Sequence, residues 1–204
     1  MSRPGRCLPI LLACLAALAS AACSTGHRSS GGSRAANLAQ ARELMAKGNK
    51  ARSAGDLELA IDSYRAAAAA NPDFGAAWNN LGSVLMLRAK EADLIAAQQA
   101  LHRASDLLPT DPTPSRNLGR LYQSRDFAED ALKYYLQALA IAPYDRDSLR
   151  GATACVKSLR RADTATLDML KRAKLSEIDP TWRSLMDHEY LRVENDLREK
   201  LERN

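Results

Sequence analysis

The sequence predicts an all-α chain: a solenoid of helix–turn–helix repeats closed by a C-terminal capping helix. Three observations predict it. Aromatic residues make up only 5% of the chain and most of its apolar residues are Ala and Leu, which favours helices packed closely through small side chains. No long alternating run of β-branched residues is present, so strands are not expected. Between Pro112 and Asp145, small and large residues recur at fixed distances. From Gly119 the offsets are +3 to Tyr122, +12 to Ala131, +16 to Tyr135, +19 to Ala138 and +24 to Pro143. That spacing fits a helix–turn–helix unit of about 34 residues.

Each position in that stretch has a packing reason. Gly119 lets two helices approach, and Tyr122 and Tyr135 fill the space beside it. Ala131 and Ala138 keep the second helix flat where it packs, and Pro143 ends it. With Leu118, these residues resemble the tetratricopeptide repeat (TPR), whose units stack as antiparallel helix pairs around a concave groove.

The amino-terminal segment reads differently. Arg3 and Arg6 form a short positive region, Ile10 to Leu18 is apolar, and Ala19-Ser20-Ala21-Ala22 precedes Cys23. A stretch this short does not span a bilayer as a stable helix; residues 1–22 read as a signal peptide. A Cys after small residues resembles the bacterial lipobox, with Ser20 where that pattern prefers Leu. The resemblance implies that Cys23 becomes the mature N-terminus and carries lipid, palmitate included; ordinary cleavage without lipid is the alternative. Ser24 is compatible with sorting to the outer membrane, facing the periplasm. Residues 23–35 are expected to form a flexible Gly/Ser-rich tether, with a reach of about 20 Å. Of the four cysteines, Cys7 and Cys14 fall in the signal. Cys155 then has no intramolecular disulfide partner and is expected to be a small buried residue.

The array is expected over residues 36–178. The first repeat covers about 41–74, with Leu44, Gly48, Ala60, Tyr64, Ala67 and Pro72 on motif positions; Lys47 and Ala51 depart from the pattern. Asn37 to Gln40 begin its first helix. The second, about 75–111, carries Trp78, Leu81, Gly82, Ala97, Leu101, Ala104 and Pro109, but its middle is three residues too long around Arg88 to Asp93. A longer helix or a wider turn is expected there. The third, 112–145, is the clean unit, with Phe127 as a packing residue in its turn. A degenerate fourth, 146–178, places Thr153 where Gly is usual and Arg172 where Ala is usual, with Ala165 and Met169 on pattern. Residues 179–204 form the capping helix. Met186, Tyr190, Val193, Leu197 and Leu201 make one apolar stripe, which would cap the solenoid or join two copies into a homo-oligomer.

Nothing in the sequence points to catalysis. His27, His102 and His188 show no metal-ligand spacing with Cys or carboxylates, and there is no phosphate loop or nucleophile elbow. No cofactor and no metal are expected. The sequence pI of about 9.1 arises from basic residues interleaved with acids, with few aromatics among them, so nucleic acid is not the expected partner.

The resemblance places the concave face on the first helix of each repeat. Carried over position by position, it implies a peptide-binding groove of Arg42, Asn49, Arg52, Asn79, Asn80, Arg116, Asn117, Arg120, Arg150 and Lys157, with Met45, Ser83, Met86 and Gln123 beside them. Amides at Asn80 and Asn117 can donate to and accept from an extended peptide backbone, and the arginines can grip carboxylates. Asn49 and Asn80 fit the carboxylate clamp of some TPR proteins, but Met45 and Thr113 stand where its lysines belong, so no clamp is assigned. The implied protein is a non-catalytic TPR scaffold or adaptor lipoprotein of the bacterial cell envelope. It is expected to bind an extended or acidic protein segment and is similar to the lipoproteins of tight-adherence and type IV pilus or secretion-system assembly. An adaptor for cell-wall hydrolases or outer-membrane assembly factors is the alternative.

Overall fold

The computed structural model describes residues 30–203. The expected signal peptide, residues 1–22, and Cys23, the expected lipidation site, lie outside the described residues. Among those described there are nine helices and no strand. They are α1 (Ser30–Ser53), α2 (Leu57–Ala70), α3 (Gly75–Arg88), α4 (Glu91–Leu107), α5 (Pro112–Gln123), α6 (Ala128–Ile141), α7 (Arg146–Leu159), α8 (Thr164–Ser176) and α9 (Pro180–Glu202).

Aspartates set the starts of five of these helices. Asp56, Asp111, Asp145, Asp163 and Asp179 each accept a hydrogen bond from a backbone N–H of the first turn, where helical donors have no internal partner. Pro112 and Pro180 occupy the first helical position, where a missing N–H costs nothing. Helix α1 begins at Ser30, so the end of the expected tether is helical. The helix-forming run from Arg34 to Leu44 supplies the nucleus, and extending a formed helix by a turn is far easier than starting one.

The helices form two layers. The backbone of each odd helix approaches that of the next odd helix, from α1 through to α9, whereas even helices meet only through side chains, as where the His102 ring of α4 stands edge-on to the Tyr134 ring of α6, 5.7 Å between centres. The odd layer is therefore crowded together on the inside of a curve and the even layer is spread along the outside. This is the all-α solenoid that the repeat spacing predicts.

The surplus residues of the second repeat become an extra turn of helix. Helix α4 has 17 residues where α2 and α6 have 14. The turn before it stays tight, with Ala89 in the left-handed region at φ 55°. Arg88 holds it by donating to both carboxylate oxygens of Asp93, 2.7 Å from Nε to Oδ2, and by pairing with Glu58 of α2.

The fourth unit is offset from the spacing read off the sequence. Thr153 is buried, with its hydroxyl donating to the Leu149 carbonyl at 2.8 Å. The glycine that admits a large neighbour is Gly151. A Cβ at Gly119 would stand 2.7 Å from Tyr135 Cδ1, and one at Gly151 would fall inside the same ring. Tyr135 thus sits between glycines of two successive odd helices. In α8, Ala165 is exposed and Thr166, Met169, Leu170 and Ala173 face inward. Arg172 instead donates to the Pro143 carbonyl at 3.3 Å.

Met186 and Val193 of α9 are fully buried in one cluster with Leu149 and Val156 of α7 and Met169 and Leu170 of α8. Tyr190 and Leu197 pack against that cluster, but Leu201 is 79% exposed. Most of the predicted apolar stripe is therefore the seam that seats α9 on its own chain. Cys155 is buried as expected.

Candidate functional site

The inner layer carries most of the polar residues assigned to the groove, and many of them bind one another. Asn117 of α5 is buried and donates to Asn79 Oδ1 of α3 at 3.0 Å. Asn79 donates to Asn80 at 3.5 Å, and Asn80 donates to Asn49 Oδ1 of α1 at 3.4 Å. That oxygen also accepts the hydroxyl of buried Tyr64 at 2.7 Å. Four amides thus form a ladder across α5, α3 and α1. Each bond contributes a net of about 1 kcal/mol, and a buried amide left unpaired would cost more. The amide of Asn117 joins helices and is not turned outward.

Two of the assigned cations are also engaged. Arg116 Nη1 lies 2.6 Å from Asp145 Oδ1, and Asp145 also caps α7. Arg150 holds Glu177 with paired bonds of 2.7 and 2.8 Å, and its guanidinium lies 5.4 Å from the Trp182 ring centre. The Glu177 side chain is fully buried. Its remaining acceptor capacity takes the N–H groups of Ile178 and Asp179 at 2.9 and 2.8 Å. The hydrogen bonds from Arg150, with help from the two amides, hold its carboxyl down at about 2 despite burial.

Arg42, Arg52, Arg120 and Lys157 are exposed and have no ion-pair partner among the described residues. Arg120 is the one placed between two clefts. A cleft of about 470 Å³ lies between α3 and α5, lined by Ser83, Met86, Leu87, Arg120, Gln123 and Ser124. The second, about 510 Å³, lies between α5, α7 and α9 and shares Arg120 and Gln123. Its far wall is Asp147, Arg150 and Trp182. Gln123 accepts the Tyr135 hydroxyl at 2.7 Å. Burial of Tyr135 raises its pKa, so that hydroxyl stays protonated as a donor. The site can therefore take one carboxylate at Arg120 while offering apolar surface on either side: Met86 with Leu87, which is 57% exposed, and the Trp182 ring.

Trp182 and Leu87 are absent from the residues assigned by sequence. Trp182 had a readable signal, since it follows Asp179-Pro180 just as Trp78 follows the start of α3. Leu87 had none. Burial pushes the Cys155 thiol up to about 11, which keeps it protonated and poorly nucleophilic. Among the described residues no group of three or more His, Cys, Asp or Glu is arranged to hold a metal ion, and no helix is long and apolar enough to cross a membrane.

Comparison with solved structures defines the class. The first TPR of Spaghetti (RPAP3), solved bound to the HSP90 peptide SRMEEVD, superposes with a TM-score of 0.57 at 21% identity, covering 61% of this chain and 98% of that one. The protein MamA superposes with a TM-score of 0.57 at 17% identity, covering 80% and 94%. The fold is that of tetratricopeptide-repeat domains. No protein-family profile matches the chain. Among curated proteins it is similar to the human O-mannosyl-transferase TMTC1, 35% identical over 75 residues, which are 37% of this chain and 8% of TMTC1. It is also similar to mouse BBSome member BBS4, 24% identical over 139 residues, 68% of this chain and 26% of BBS4. The chain thus spans about a quarter or less of the curated relatives it matches.

Proposed function

We propose that the protein is a non-catalytic scaffold whose inner face binds an extended segment of a partner protein, with one acidic side chain seated at Arg120. The observation that carries this reading is the exposed guanidinium of Arg120, free of any ion pair among the described residues and flanked by clefts on both sides. An arginine at such a place offers a carboxylate paired donors. The HSP90 peptide carried by the RPAP3 repeat is itself acidic, which agrees with this choice of ligand.

The setting proposed is the bacterial cell envelope. Cys23, following the small residues Ala21 and Ala22, would carry lipid and hold the array at the outer membrane, facing the periplasm. There it would serve the assembly of a pilus or secretion system.

A photo-crosslinking residue at Gln123, between the two clefts, tests this in the native cell. Capture of a pilus or secretin subunit, lost on Arg120→Glu, is the expected result. Capture of a wall hydrolase would move the protein to the alternative envelope role. Adducts insensitive to Arg120→Glu would refute the groove as the binding face.

A further inference from the structure

Helices α1, α3, α5 and α7 each pack against the even helix that follows them, which returns antiparallel over a short turn. Helix α9 is the next member of the odd layer, and among the described residues no helix covers it in that way. Its inner side is spent: Met186, Glu189 and Val193 are buried. Its outer side carries Leu191, Glu194, Arg198 and Leu201, all exposed, at spacings that put them on one helical face. The leucines are 54% and 79% exposed. Glu194 accepts only the Tyr190 hydroxyl at 3.1 Å, and Arg198 donates only to Asn195 at 2.8 Å. Neither has an ion-pair partner among the described residues, although neighbouring Arg192 and Arg203 each do.

This order of residues is self-complementary. Lay a second copy of the helix antiparallel across this face, with the two-fold axis near residue 196. Leu191 then meets the partner's Leu201, and Glu194 meets the partner's Arg198. Every contact occurs twice, as an isologous interface requires. Four leucines close the two ends, about 15 Å apart along the helix, and two crossed ion pairs lie between them. We infer that the protein forms a homodimer through the outer face of α9, each copy laying its own α9 antiparallel across the other's. The stripe seated on α7 and α8 takes no part, so dimerisation leaves each array and its groove intact.

Charge reversal with rescue tests this. Sedimentation equilibrium of the full chain in a non-ionic detergent should give a monomer–dimer equilibrium. Glu194→Arg sets two like-charged pairs face to face and should weaken the dimer on the order of tenfold. Arg198→Glu should do the same, and the double exchange E194R/R198E should restore it. Leu191→Asp should abolish it. All three substituted positions are exposed, so circular dichroism should show each variant folded. A monomer at every concentration would overturn the inference. So would a dimer indifferent to Glu194→Arg and Leu191→Asp, or a double exchange no better than either single change.

Discussion

The two ends of the inner layer are joined by different chemistry. From α1 to α5 the odd helices are tied by neutral amides, Asn49, Asn80, Asn79 and Asn117, over a core in which alanine is the commonest residue. From α7 to α9 they are tied by a buried ion pair, Arg150 with Glu177, over a core of larger side chains such as Met169, Leu170 and Met186. The neutral ladder has no charge to lose on titration. The ion pair needs its charge, because a buried carboxylate without its guanidinium is strongly unfavourable. One fold thus uses two kinds of joint, one indifferent to pH and one sensitive to it.

Breaking the comparison starts at the boundary between the two regions. Tyr135→Ala removes a buried ring held between Gly119 and Gly151 and should cost about 3–5 kcal/mol, measured by urea denaturation. Hydrogen exchange should show the loss concentrated in α5 to α9. Gly151→Ala overpacks the same ring and should cost about 1–3 kcal/mol by the same measurement. Asn79→Ala interrupts the ladder in the middle and leaves Asn117 without its acceptor; a loss of about 1–2 kcal/mol, constant between pH 3 and 7, is expected.

The acid limb sharpens the contrast. Glu177 is held at about 2, below its ordinary 4.5, so the unfolded chain binds the proton more readily than the folded one. Its contribution is complete above about pH 4.5 and is lost as the pH falls towards 2. Asp93, hydrogen-bonded by Arg88, is lowered as well and adds to the same limb. Replacing Glu177 by Gln should therefore flatten, without abolishing, the fall of thermal stability between pH 4.5 and 2, and exchange at low pH should open α7 to α9 first. Smallest in stability is Arg120→Glu. It should change the folding free energy by no more than about 0.5 kcal/mol, while eliminating crosslinks from Gln123.

How far the sequence could be read follows from the range of each contact. Gly119, Tyr135 and Ala138 were legible because their spacing reports helix packing within one unit. The extra turn of α4 was legible as surplus length, though not as helix rather than turn. Gly151 was missed because the repeat period points to Thr153, and only packing against Tyr135 reveals the offset. The amide ladder was half visible. Periodicity aligned Asn80 with Asn117, yet Asn117 bonds to Asn79. Arg116 and Arg150 read as groove cations because their acids, Asp145 and Glu177, lie in turns 29 and 27 residues away. No local pattern announces pairs at that distance. Arg120 has no such acid and remains available at the groove.

The place of Tyr135 also bears on the order in which the chain is made. Its ring is enclosed from one side by α5, which precedes it, and from the other by Gly151, which emerges later from the ribosome. A nascent chain complete only to Ile141 must hold a large aromatic ring half uncovered at its growing end. The third unit alone therefore leaves one side of that ring uncovered until the fourth has been synthesised, and a chain cut between α6 and α7 would expose it to other chains.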